Sequence, residues 1–170
     1  MTNSAAPTFE NRGRISEFVG LDGLPTCRVV RAGAEFAAKQ GHLLAPGISA
    51  QSAGAQKIHL QIATIPPGTQ ARAHKHADHE TALYVISGKS GMWYGKALEQ
   101  HLTVGAGDFL YVPANMPHLP YNPSESENCV AVIARTDPDE QESVVLLPGL
   151  EAAHETHCAS RSRNTNLPRR

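Results

Sequence analysis

The sequence predicts an all-β protein, a single small barrel of the jelly-roll type. Three observations carry that reading. Short β-type runs recur through the middle of the chain and are broken by turn residues at regular intervals. Helical patterning is nearly absent, the sole candidate being the Ala-rich stretch from Gly33 to Gln40 with Gly41 as its stop. Finally, two stretches rich in His, Gly and Pro, 68–88 and 107–122, are spaced so that neighbouring strands would aim side chains at one point. A chain of 170 residues, 41% hydrophobic and 18% charged, has room for one proper core.

The elements follow in order. Residues 1–24 are polar and rich in Gly, Pro, Asn and Ser, and read as a flexible N-terminal arm. The barrel is expected over 25–150. Its strands are expected at Cys27–Ala32, Lys57–Ile65, Ala71–His76, Thr81–Ser87, Gly91–Tyr94, Leu98–Val104, Asp108–Val112, His118–Tyr121 and Cys129–Arg135. Pro66-Pro67-Gly68, the Ser-Gly-Lys-Ser-Gly run from Ser87 and the Gly-Ala-Gly-Asp run from Gly105 supply the turns. The apolar run from Ser143 to Pro148 is either a last strand or a segment laid over the barrel. Residues 151–170 turn polar and then basic, and read as a disordered tail. No internal repeat is visible, so one barrel is expected and not a fused pair.

Bulk properties narrow the function classes. A net charge of -1 gives no electrostatic case for nucleic acid or an anionic membrane as partner. No apolar run approaches the ~20 residues of a membrane span. The N-terminus lacks a basic region followed by an apolar one, so a cytoplasmic location is expected. Cys27, Cys129 and Cys158 are odd in number and far apart, which fits reduced thiols better than a disulfide framework. Nine histidines are the compositional anomaly.

Three of these histidines fall into a pattern. His74 and His76 are two apart, so on a strand both face one side. His118 belongs to a second strand that must lie beside the first. With the carboxylate of Glu80 they form a ligand set for one divalent transition metal ion: Fe, Mn, Zn, Ni or Cu. The two stretches resemble the two sequence motifs of the cupin superfamily. The first family motif runs Gly, five residues, His-x-His, three or four residues, Glu, six residues, Gly. The second runs Gly, five residues, Pro-x-Gly, two residues, His, three residues, Asn. Gly68, His74, His76, Gly88, Gly107, Pro113, His118 and Asn122 all fall in place. The resemblance implies a cupin-type double-stranded β-helix, a jelly-roll barrel with the metal inside.

Two departures from the motifs bear on the site. Asn115 stands where the family has its second-motif Gly, and Asn tolerates the left-handed backbone such a turn needs. Seven residues, not six, separate Glu80 from Gly88. In one register Glu80 is the fourth ligand and a bulge absorbs the extra residue. In the other, Thr81 holds the ligand position, Glu80 faces away and the site is a three-histidine face. His79 shares the parity of Thr81 and is a third candidate.

Around this centre Arg72, Tyr84 and Tyr111 are candidate substrate-binding residues, with Trp93, Tyr94 and Tyr121 close by in the pattern. Arg72 shares the parity of His74 and His76, and either reaches an anionic substrate group or stands in solvent at the rim. His42, His59, His101, His154 and His157 lie outside the motifs and read as structural or exposed. The resemblance implies a metal-dependent enzyme acting on a small organic molecule, with a dioxygenase ahead of an isomerase or lyase. Some cupin dioxygenases hold Fe(II) on three histidines. The alternative is a non-catalytic cupin that binds a metal or small ligand, although cupins that have lost metal usually lose motif histidines and this chain keeps all three. A homodimer is expected, with residues 25–60 covering a partner's sheet edge.

Overall fold

The computed structural model describes residues 24, 26–139 and 143–164. The N-terminal arm expected over 1–24 therefore lies outside the described residues, apart from Leu24. Eleven strands and two helices follow in order: β1 (Phe36–Ala37), β2 (Leu43–Ile48), α1 (Ala50–Ala53), β3 (His59–Ile65), β4 (His74–His76), β5 (Thr81–Ser87), β6 (Lys89–Tyr94), β7 (Gln100–Gly105), β8 (Phe109–Val112), β9 (His118–Tyr121), β10 (Cys129–Arg135), β11 (Val144–Leu146) and α2 (Pro148–Asn164).

They form two antiparallel sheets, one ordered β1-β2-β3-β10-β5-β8 and the other β11-β4-β9-β6-β7. This is the jelly-roll sandwich the sequence predicts. The inward faces alternate with outward ones as a strand period of two requires. Cys129, Ala131 and Arg135 of β10 are buried, as are Thr81 and Val85 of β5. One core cluster joins Ile65, Val85, Val104 and Cys129, with Leu83, Leu102 and Leu110 packed on it. A second joins Ala73, Leu98 and Leu119, with Trp93, Leu147 and Leu150 against it.

Turn chemistry holds the sheets in register. Gly68, Gly88 and Gly107 have φ of 63°, 75° and 94°, and Asn115 takes φ 62° in the place of the family's Gly. Asn122 is buried and closes its own loop. Its amide donates to the carbonyls of Ile65 (2.9 Å) and Glu127 (2.7 Å), and its side-chain oxygen accepts from Ser124 N at 2.9 Å.

Several expected elements differ. Cys27–Ala32 is not a strand, and it joins neither sheet among the described residues. Gly33–Gln40 is not helical. Eight residues are too few to offset the cost of nucleating a helix in isolation. Phe36 and Ala37 instead pair with Leu44 and Leu43, and Gly41 (φ 99°) makes the hairpin turn. β2 is absent from the expected strands and carries Pro46 and Gly47, residues that weaken a ladder. The ladder absorbs them as an irregularity between Pro46 and Ile48, where a Cβ on Gly47 would meet Leu60 O at 2.8 Å. The polar segment after Glu151, expected as a disordered tail, is helical to Asn164. Its first turns dock through Leu150 and through His154, whose ring lies 4.9 Å from that of Trp93. Of the run from Ser143 to Pro148, Val144–Leu146 forms β11, at the sheet edge beside β4.

Candidate metal centre

β4 and β9 run side by side with His74 directly opposite His118. His76 lies two residues along β4 and so shares the face of His74. All three are buried, at 1%, 7% and 4% exposure for His74, His76 and His118. Each offers one ring nitrogen, and those three nitrogens lie within 4.8 Å of one another. Ring centroids are 4.2 Å apart for His74 and His118 and 5.1 Å for His76 and His118.

The backbone sets two of the tautomers. His74 Nδ1 donates to Arg72 O at 2.7 Å and His118 Nδ1 to Met116 O at 2.9 Å. A carbonyl can only accept, so the proton sits on Nδ1 and the Nε2 lone pair is left for a metal. Burial, with a smaller contribution from the neighbouring imidazoles, lowers the pKa of all three rings to about 3. Neutral imidazole is the form that ligates, so the donor set fits a divalent transition metal over the whole physiological range.

The same shift has a consequence for stability. Between pH 6.5 and about 3 the unfolded chain takes up protons that the folded site refuses. Each group's contribution is therefore complete above pH 6.5 and is lost as pH falls toward 3. Metal-free protein should show a urea midpoint that drops steadily from pH 7 to pH 4.5; a flat midpoint would contradict the burial argument.

The remaining candidates separate by parity. β5 begins at Thr81, whose side chain points inward with Leu83 and Val85, all three lining the cavity. Glu80 precedes the strand on the opposite parity and is exposed. Its carboxylate accepts a 2.6 Å hydrogen bond from the Tyr111 hydroxyl on the outer surface. The structure thus places Glu80 outside the three-nitrogen group of His74, His76 and His118. Glu80→Gln should leave metal affinity unchanged within about twofold, an effect of the size of a surface substitution. A large loss of bound metal in that variant would return Glu80 to the site.

Tyr84 and Tyr111 are also on the outer face: Tyr84 stands opposite Phe109, and Tyr111 opposite Ala82. Neither lines the cavity. Arg72 shares the sequence parity of His74 but precedes the strand. Its N–H donates to Gln40 O and its side chain points out, 4.0 Å from Glu151. The structure therefore does not bring Arg72, Tyr84 or Tyr111 to the metal centre. His79 is buried beside His76, with ring centroids 4.9 Å apart, but its Nδ1 faces Ala77 O at 3.2 Å and it is not in the three-nitrogen group.

Sequence reading did not place His42, Gln61 and Arg135 at the cavity, which they line together with Gln40 and Ser90. His42 precedes β2, its Nε2 is buried without a hydrogen bond, and its ring centroid is 6.4 Å from that of His74. None belongs to either motif. The available signal was parity on β3 and β10, which puts Gln61 and Arg135 inward. The cavity holds about 80 Å³, space for a few water-sized groups, and most of the rest of its wall is apolar.

The comparisons agree with this architecture. Residues 61–134 match the cupin domain family. No curated protein matches the sequence. A Bacillus subtilis oxalate decarboxylase structure concerned with that enzyme's Mn(II) centres is 26% identical, with a TM-score of 0.56. A variant of the same enzyme is 25% identical, with a TM-score of 0.57. In both cases the match covers 67% of this chain and 30% of the decarboxylase, so the chain spans about a third of the length of those enzymes.

Proposed function

We propose that this chain, whose residues 61–134 form a cupin domain, binds one divalent transition metal ion through His74, His76 and His118 and acts as a metal-dependent enzyme on a small organic molecule held in the barrel. The observation that carries this reading is the convergence of three buried, neutral ring nitrogens on one apolar cavity. The bound ion would supply Lewis-acid or O₂-activating chemistry at positions the three histidines leave open. The chain's own contribution is to hold the two Nδ1 protons on backbone carbonyls, to keep the rings neutral and to wall the centre off from water.

A dioxygenase is the leading reaction, because three histidines with no carboxylate leave several positions for substrate and O₂. The likeness to Mn(II)-containing oxalate decarboxylase favours a lyase as second reading. Protein loaded with Fe(II) or Mn(II) should consume O₂ with candidate β-diketones, thiols or catechols. Release of CO₂ from oxalate without net O₂ uptake would select the lyase. Tight ligand binding without any turnover would reduce the protein to a binding module and overturn the enzymatic reading.

We place the protein in the cytoplasm as a homodimer. Cys27 and Cys129 are free thiols, in keeping with a reducing compartment. No helix among the described residues is long and apolar enough to cross a membrane. The outer face of the six-stranded sheet exposes Leu60, Tyr84, Ile86, Phe109 and Tyr111, with Phe109 81% exposed, and a second copy would cover that patch. Sedimentation at micromolar concentration should give twice the chain mass of 18.2 kDa. A monomer there rules the dimer out.

A further inference from the structure

Four histidines line the cavity, and the three-nitrogen group uses His74, His76 and His118 but not His42. The chain around His42 fixes its position. Gly41 turns the hairpin between β1 and β2 at φ 99°, and Ala38 N donates to His42 O at 2.8 Å across that turn. Arg72 N donates to Gln40 O at 2.8 Å, which ties the turn to the chain two residues before His74. His42 has the strand parity of Leu44, and both line the cavity. The residue is 7% exposed, and its ring centroid is 6.4 Å from that of His74. A charge on His42 would lower the pKa of His74, His76 and His118 alike, so its ring stands near all three.

His42 Nε2 is buried and has no hydrogen-bond partner. A buried polar atom left in that state bears the whole cost of its lost hydration, and a ligand that reaches it removes that cost. A neutral imidazole presents an N–H or a lone pair at Nε2, according to its tautomer. We infer that His42 is a specificity-determining residue of the centre, whose Nε2 hydrogen-bonds the outer atom of a compact ligand held on the ion by its inner atom. The ligand class is a molecule of two or three heavy atoms with polar atoms at both ends, O₂ among them. A cavity of about 80 Å³ admits molecules of that size, and Leu44, Ala63 and Ile65 give its wall little else that is polar on this side. This inference rests on the metal-binding reading proposed above.

The test is a visible-absorption titration of Co(II)-loaded full-length protein with azide, a linear ion of three nitrogens, with metal content measured on the same samples. His42→Leu, apolar and of similar bulk, should keep its Co(II) and bind azide about tenfold more weakly, the size of one hydrogen bond in a buried site. His42→Gln places an amide near the position of Nε2 and should bind azide within about threefold of wild type. Should His42→Leu fail to fold, His42→Met decides in its place. The inference is overturned if azide does not bind the wild type, if the apolar variant binds it like wild type, or if His42→Gln is as weak as the apolar variant. Loss of Co(II) from a folded apolar variant would make His42 a ligand and overturn it as well. A wild type that takes up no Co(II) rejects the metal centre and this inference together, whereas full Co(II) with azide binding indifferent to His42 rejects the inference alone.

Discussion

His76→Ala protein is expected to lose almost all of its bound metal, with affinity lower by about a hundredfold or more, since a three-donor site reduced to two has too few ligands. The other candidates, His79 included, lie outside the three-nitrogen group. Glu80 is committed to Tyr111 on the outer face, and Thr81 offers only a neutral hydroxyl. His101→Ala is the matched control. Its ring packs on Trp93 and its Nε2 lies 3.0 Å from the Tyr121 hydroxyl, outside the three-nitrogen group. Elemental analysis of the two variants beside the wild type reads the outcome directly. Full occupancy in His76→Ala would mean that the ion sits elsewhere.

The second large effect is on stability. Gly88→Ala should cost about 3 kcal/mol or more, because two penalties coincide. The residue sits at φ 75°, which L side chains rarely adopt, and a Cβ there would collide with Asn128 O and stand 3.0 Å from Cys129 Cα. Both are backbone atoms and cannot swing aside. Gly68→Ala is the contrast. It has φ 63° but nothing within 4 Å of the added carbon, so only the conformational penalty of about 1 kcal/mol applies. Equal urea midpoints for the two variants would contradict the steric account.

What was legible in the sequence follows the physics of a two-residue period. β5, β9 and β10 begin and end where the β-type runs do, because turn residues flank those runs. The pairing of β4 with β9 was legible from the motif histidines alone. β2 was not, since Pro46 and Gly47 are tolerated only through a ladder irregularity that needs the neighbouring strand to be seen. The choice between Glu80 and Thr81 hung on one residue of register. Glu80 lies outside the three-nitrogen group because of where β5 starts and because the hydroxyl of Tyr111, 31 positions away, holds its carboxylate. Arg135 and His42 carry no motif and acquire meaning only when sheet order brings them to the cavity. The helix after Leu147 has no strong amphipathic pattern to announce it, and a few docked side chains, chiefly Leu150 and His154, mark its contact with the sheet.

The pairing of β4 bears on the order of assembly in the cell. This three-residue strand carries two of the three histidines, yet it meets β9 at a single residue pair. Its fuller ladder is with β11, where Val144, Val145 and Leu146 stand opposite His76, Lys75 and His74. The strand that frames the histidines is therefore completed by a segment far from it along the chain. Such non-local strand pairs form late in folding. The three rings are thus held in their final geometry only once that distant segment has joined the sheet.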